Sequence, residues 1–296
     1  MKNNLKLSQI TIVIVSFKSE KKVLDIVKKN KKVCQIFIVD NSNDKNLKKK
    51  IDKLKKKNIK IILSKNIGYA NAANLASKHI NTNYFVLTNP DVVGINLNNL
   101  RIFLNKVKNI NNFGTIGPRY IGKNHKNLIQ TSGMYQVEKI KCISGAVMFF
   151  NTRIFKKLKG FDKKFFLYYE ENDYCLRAIK KNFSNYQINS IKVKHETGKS
   201  VNYVNQKDKF ITNIVRTWHF SWSKIYYLKK NHNYLYALSI GIIALIRSFI
   251  KMIFFNLTKN KIKHIKYHAR LNAIINSLRN KKAYFRFSDV EKYYDL

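Results

Sequence analysis

The sequence predicts an α/β fold built on a largely parallel sheet. Three observations carry that expectation. Short β-branched runs recur along the first part of the chain, amphipathic segments separate them, and each run stops at a polar cluster. Runs of this kind are the signature of strands buried on both faces, and their alternation with helical patterns favours parallel connections.

Residues 10–16 (ITIVIVS) form the first expected strand. Residues 20–29 follow as a helix, with Val23, Leu24, Ile26 and Val27 as its apolar stripe. Residues 35–39 (QIFIV) are a second strand, ending in the polar, helix-capping run Asp40-Asn41-Ser42-Asn43-Asp44. Residues 47–57 are a lysine-rich helix, 59–63 a third strand, 69–79 an alanine-rich helix and 84–87 a fourth strand that stops at Thr88-Asn89-Pro90-Asp91. In open α/β sheets ligands bind beyond the carboxyl ends of the strands. Ser16-Phe17, Asp40-Asn41, residues 64–66 and residues 89–91 all stand at such ends. After a helix near 97–107 the pattern loosens. Residues 114–118, 128–135 and 146–150 read as strands, 165–181 as mostly helical, and 186–194 as a strand ending at His195.

The chain has 296 residues with 58 Lys+Arg against 16 Asp+Glu, a formal net charge of +42, and 13% aromatic residues. Two readings of the charge stand side by side. Lysine here travels with abundant Asn and Ile, as AT-rich coding writes at unconstrained surface positions. Alternatively the excess expresses a preference for polyanions, either nucleic acid or an anionic membrane surface. A nucleic-acid binder would concentrate its basic residues on one face among exposed aromatics. Here lysine is spread along the whole chain and no binding module is recognisable, which weighs against nucleic acid. The three cysteines, Cys34, Cys142 and Cys175, are widely spaced in apolar contexts, so buried free thiols fit better than a disulfide framework or a CxxC metal site. No signal peptide precedes the first strand, and a cytoplasmic protein is expected.

From about Phe210 the chain becomes aromatic and basic. The expected division is a catalytic domain over 1–205 and a helical extension over 206–296. Residues 234–246 are charge-free for only about 13 residues, short of the roughly 20 needed to cross a bilayer. Arg247 and Lys251 then follow one turn apart. A helix lying in the membrane interface is expected, and a buried helix closing the core is the alternative.

Scarcity makes the acidic residues informative, because three of the 16 fall within residues 170–173. In the run FFLYYEENDYCLR, Glu170 and Asp173 share a helix face while Glu171 points about 100° away. A carboxylate among aromatic rings is partly desolvated, which raises its pKa and makes it a better general base. A solvated helix N-terminus rich in acids is the other reading. Asp91, held behind a proline at a strand end, can present a carboxylate to a hard divalent cation bound to a diphosphate. His195 can complete such a site, although a lone histidine is more often structural. At Asn66-Ile67-Gly68-Tyr69-Ala70, Gly68 allows close backbone approach and the following helix N-terminus favours an anion. Walker, GxGxxG, GxSxG and HExxH sequences are absent, so P-loop, dinucleotide oxidoreductase, α/β-hydrolase and zincin chemistry lose support.

In order along residues 10–200, these pieces resemble glycosyltransferase family 2, in particular its bacterial rhamnosyltransferase-like branch that builds surface polysaccharides. Residues 12–17 look like its opening strand and Val39-Asp40-Asn41-Ser42 like its nucleotide-contacting turn. Asn66 to Ala70 with Asn74 is similar to its Asn-x-Gly segment, and Thr88-Asn89-Pro90-Asp91 stands where it carries a DxD-type metal motif. Ser144-Gly145-Ala146 resembles the acceptor-side loop. Gly160-Phe161-Asp162 with residues 165–177 resembles the segment holding the base. Val193-Lys194-His195 with Gly198 and Ser200 resembles the closing histidine motif.

The resemblance implies a GT-A fold with helices on both faces of the sheet, a nucleoside-diphosphate sugar donor, Mg2+ or Mn2+, and inversion at the anomeric carbon. It implies that Asp91 and His195 hold the metal. Ser16, Phe17, Asp40, Asn66, Gly68, Asn74, Asn89 and Asp91 would seat the donor, and Ser144, Gly145 and Asp173 would lie on the acceptor side. Glu171 is then the base, with Glu170 as its rival. Two departures accompany it: Asn at position 89 leaves Asp91 as the only carboxylate of its motif, and Glu-Glu stands where the family often has Glu-Asp. The implied acceptor is lipid-linked or an oligosaccharide, at an anionic membrane. A catalytically inactive glycan-binding member is the alternative, against which retention of Asp91, His195 and the acidic cluster counts.

Overall fold

The computed structural model describes residues 6–122, 129–196, 198 and 200–294. It divides into two compact units, Met1–Asp162 with Tyr174–Asn202, and Lys163–Asp173 with Tyr203–Leu296.

The first unit holds the sheet. Its elements begin β1 (Ile10–Ser16), α1 (Glu20–Asn30), β2 (Gln35–Asp40), α2 (Lys45–Asp52), β3 (Ile59–Leu63), α3 (Tyr69–Lys78) and β4 (Tyr84–Thr88). They continue through β5 (Val92–Val93), α4 (Leu97–Val107), β6 (Phe113–Tyr120), β7 (Val137–Lys139), β8 (Val147–Asn151) and α5 (Thr152–Lys157). After α6 (Glu170–Lys180), which begins in the second unit, β9 (Ser184–His195) completes the sheet. The strand order is β3-β2-β1-β4-β8-β6-β9-β5, with β7 pairing to β9. β3, β2, β1 and β4 run parallel, whereas β8 turns back antiparallel to β4. Every residue of β1 is buried, as its unbroken β-branched run requires of a central strand covered on both faces. Ile12, Ile14, Ile36, Ile38 and Val86 join α1 and α4 side chains such as Val27, Leu100 and Phe103 in one core.

Some of the asparagine serves helix starts. Among the described residues, Asn96, Asn151, Asn205, Asn233 and Asn260 each cap a helix by accepting a backbone N–H with the side chain. Asp44 does the same for α2.

Three expected elements differ. The lysine-rich helix ends at Asp52 rather than at 57, because Lys55 adopts a left-handed φ of 48°. The expected strand over 128–135 does not form: position 128 lies outside the described residues, and 129–135 is irregular. There the Glu138 carboxylate accepts from the Thr131 and Ser132 hydroxyls and the Gly133 amide, so side-chain bonds replace a ladder. Those bonds hold its pKa down at about 2. Finally, the helix expected from 165 starts only at Glu170. Tyr168 and Tyr169 take left-handed φ values of 69° and 67°, a conformation that costs energy in L-residues and needs support elsewhere.

That support lies within the second unit. Its helices are α7 (Gln206–Asn231), α8 (Tyr234–Leu257), α9 (Lys261–Leu278) and α10 (Phe287–Tyr294). The Phe165 ring meets Tyr226 edge-on at 4.9 Å, and Phe166 stacks on His219 at 4.3 Å with the Arg286 guanidinium 3.7 Å from its centroid. Two buried phenylalanines anchored this way override the helical propensity of the run. Burial pushes the His219 pKa down to about 3, so the ring stays neutral while its Nε2 bonds to the Phe285 carbonyl. Trp218 is fully buried, stacks on Phe285 at 5.3 Å and donates to Asn272. The helix expected over 234–246 runs on to Leu257, through Arg247 and Lys251. Only Ala237, Gly241 and Ser248 on it are buried, so it does not close a core.

Candidate active site

At the carboxyl end of β1 and β2, Ser16 and Asp40 stand in register. The Ser16 hydroxyl donates to the Asp40 carboxylate at 2.7 Å, and Asp40 also accepts from the Ser42 hydroxyl and the Asp44 amide. Asp40 is fully buried, and these donors offset the loss of its hydration. Asn41 donates to the Gly68 carbonyl at 3.2 Å, tying this turn to the start of α3. Gly68 has φ of 85°, and its amide donates to the Asn66 side chain at 3.3 Å. The glycine is needed there: a side chain at this φ is strained, and the turn leads directly into the N-terminus of α3. Phe17 follows β1, half-buried.

Asn74, expected to line the donor site, is bonded within the first unit. Its amide both donates to and accepts from the Phe161 backbone at 2.9 Å, bracing α3 against the Gly160-Phe161 turn.

The end of β4 gathers the remaining donors of the first unit. The Asn89 amide bonds to the Ala146 carbonyl at 2.9 Å, bringing the Ser144-Gly145-Ala146 loop beside the Asn-Pro-Asp turn. Tyr69, the first residue of α3, donates its hydroxyl to the Gly145 carbonyl at 2.7 Å. β5 then pairs with the end of β9, placing Val92 opposite His195, while the Glu196 amide bonds to the Asp91 carbonyl. The result is Asp91 Oδ1 at 3.3 Å from His195 Nε2, with Asp91 buried and His195 nearly so. Asp91 Oδ1 and His195 Nδ1 are both buried without a hydrogen-bond partner. A buried carboxylate oxygen beside an imidazole, its lone pairs unused, is a donor set that fits a hard divalent cation with further oxygen ligands from a diphosphate. Among the described residues no group of three or more His, Cys, Asp or Glu could hold a metal alone, so a cation here would draw on its ligand.

Glu170, Glu171 and Asp173 belong to the second unit. Asp173 is fully buried and pairs with Lys230 at 2.7 Å and Asn231 at 3.2 Å on α7. Its carboxylate is thereby engaged within that unit. Glu170 is buried and Glu171 half-buried, and each has an Oε2 with no partner. Burial, and after it the neighbouring Glu171 charge, pushes the Glu170 pKa well up; burial raises Glu171 to about 7. Two carboxyls so placed do not both ionise readily, and the one that does is a competent base near neutral pH. Tyr69, Lys230 and the Asn89–Ala146 contact were not singled out from sequence for these roles. Only the position of Tyr69 at a helix start could have drawn attention to it.

This arrangement defines a nucleotide-sugar transferase fold, and comparison with known proteins agrees. The structure resembles the crystal structure of S. aureus TarS 1–349 in complex with UDP, with a TM-score of 0.52 and 13% identity over 95% of this chain and 93% of that one. It also resembles GalNAc-T7 crystallised with UDP, GalNAc and Mn2+, at a TM-score of 0.52 and 14% identity over 75% of this chain and 50% of that one. The fold is GT-A. In sequence, residues 11–175 match the profile described as Glycosyl transferase family 2. The chain belongs to that family. A low-salt glycan biosynthesis hexosyltransferase of Haloferax volcanii is 23% identical over 201 residues, 60% of this chain and 64% of the relative, so the chain spans less than two thirds of that protein.

Proposed function

We propose that this glycosyltransferase moves a hexose or deoxyhexose, such as rhamnose, from a nucleoside-diphosphate donor to a lipid-linked or polysaccharide acceptor. Transfer inverts the anomeric carbon. Residues 1–205 carry the chemistry, and residues 206–296 keep the enzyme peripheral on the cytoplasmic face of the plasma membrane. The observation that carries the reading is the Asp91–His195 pair, buried at 3.3 Å with unused lone pairs at a strand end. Relatives of the same fold crystallised with UDP or UDP-GlcNAc favour a nucleotide-sugar donor.

In this reading Asp91 and His195 would hold Mg2+ or Mn2+, which would supply positive charge against the diphosphate leaving group. The Ser16–Asp40 pair and the Asn66–Gly68 turn seat the nucleotide, with α3 presenting its N-terminal amides. Ser144 and Gly145 shape the acceptor side. Glu171 takes the proton from the attacking hydroxyl: its raised pKa lets it accept at neutral pH, and its half-exposure leaves it more accessible than Glu170.

A thermal-shift panel of nucleoside-diphosphate sugars tests the donor. One donor should raise the melting temperature by several degrees with Mn2+ and by much less with EDTA, since a ligand that binds only the folded state stabilises it by mass action. No shift with any nucleotide sugar would count against the reading.

A further inference from the structure

The outward face of α8 exposes apolar side chains over its whole length. Ile242, Ile246, Phe249, Ile250, Ile253 and Leu257 are between 43% and 75% exposed. At 100° per residue these six fall within an arc of about 100°. The residues that α8 buries, Ala237, Gly241 and Ser248, fall on the opposite side. That buried side packs inside the same unit, and a methyl on Gly241 would come within 3.2 Å of Leu278 at the end of α9. α9 therefore runs back alongside α8. Phe255 and Tyr267 stack at 5.6 Å, with Lys263 over Phe255 and Lys251 over Tyr267.

An apolar stripe of this extent marks an interaction surface, and its surroundings identify the partner. Arg247 flanks the arc about 60° beyond its edge, and Lys251, about 100° beyond it, is turned toward Tyr267 of α9. Lys259, Lys261, Lys263 and Lys266 stand exposed at the turn and along α9. No acidic residue occurs between Asp208 and Asp289. An apolar stripe with a purely cationic rim complements an anionic bilayer surface, where acyl chains accept the apolar side and headgroups the basic one. A second copy of the chain would bring a surface carrying Arg247, Lys259 and Lys261, with no acidic residue among them, against its own kind, which opposes self-association. By length and composition α8 could also cross a bilayer. Spanning, however, would carry the lysines of the adjoining α9 into hydrocarbon, a costly transfer.

We infer that α8 is a monotopic membrane-docking helix, lying in the plane of an anionic leaflet with its Ile242-to-Leu257 face among the acyl chains. For its purpose the inference rests on the transferase reading, because a lipid-linked acceptor is reached from such a position. The docking itself is tested separately.

The test is flotation of the full chain with vesicles of phosphatidylcholine alone, or mixed with roughly one third phosphatidylglycerol. The chain should float with the mixed vesicles and far less with phosphatidylcholine. A triple variant, Ile246→Ser with Ile250→Ser and Ile253→Ser, should lose at least about tenfold in apparent affinity, with circular dichroism and melting showing it folded. Arg247→Gln with Lys251→Gln should weaken binding several-fold, mainly at low salt. Failure of the wild type to float with mixed vesicles overturns the inference, as does equal flotation of the triple variant. So does a solution dimer that the triple variant converts to monomer. Transfer to a soluble acceptor without vesicles is measured in parallel. If that activity is absent while flotation persists, the transferase reading fails and the docking assignment stands.

Discussion

Glu171→Gln lowers sugar transfer by roughly a thousandfold while donor affinity stays within about twofold, the pattern for loss of a general base that acts only in the transition state. The amide keeps the shape of the side chain and removes its ability to accept a proton. The pH profile follows from the raised pKa of about 7. The base works only when ionised, so wild-type transfer is full above that value and falls about tenfold per pH unit below it. Stability runs the other way. A carboxyl whose folded pKa exceeds its unfolded value favours the native state when protonated. The contribution of the pair is therefore present at low pH and lost as pH rises from the unfolded value through the folded one. Glu170→Gln is the control: as the more buried member it should relieve the native state at alkaline pH and retain transfer. Kinetic assays of both variants across pH decide the matter. Wild-type turnover in Glu171→Gln, with the loss appearing in Glu170→Gln, would reverse the assignment.

Asp91→Ala removes the only carboxylate of its motif, and the expected result is loss of cation-dependent donor binding, a hundredfold or more in affinity, on the order of 3 kcal/mol. Treating the wild type with EDTA should reproduce most of the loss, and in Asp91→Ala EDTA should then do little more. His195→Ala should cost less, roughly 10- to 100-fold, because the carboxylate remains. Calorimetric titration of the donor with and without Mn2+ measures all of these. Equal donor affinity in wild type and variant, indifferent to EDTA, would remove Asp91 from the site.

The two halves of the site differed in how openly they could be read. Ser16 and Asp40 were visible because each closes a short apolar run whose end is unambiguous, and the two ends stand in register. Asp91 and His195 could be paired on chemistry, as a carboxylate and an imidazole suited to one cation, but not by position. Their proximity depends on β5, a two-residue strand whose pairing with β9 no periodicity announces. Nothing in Tyr168-Tyr169 signals a left-handed turn. It exists because Phe165 and Phe166 are held by Tyr226, His219 and Arg286, contacts far away in sequence. Asn74, with its motif-like position, proved to be bonded to the Phe161 backbone. The α8 stripe could be read as apolar, but which side would stay exposed was decided by the packing of Gly241 and Ala237. Part of the asparagine excess, which composition alone assigns to coding bias, caps five of the helices.

The central claim is inverting transfer from a nucleotide sugar, and product analysis tests it most directly. The purified chain is incubated with Mn2+, the donor selected by thermal shift and a bacterial lipid extract. Nucleoside diphosphate release and the anomeric configuration of the new linkage are then followed together. The account predicts stoichiometric release and a product of opposite anomeric configuration to the donor, both absent in Glu171→Gln. Donor left unconsumed by the wild type, or a product of retained configuration, would contradict it.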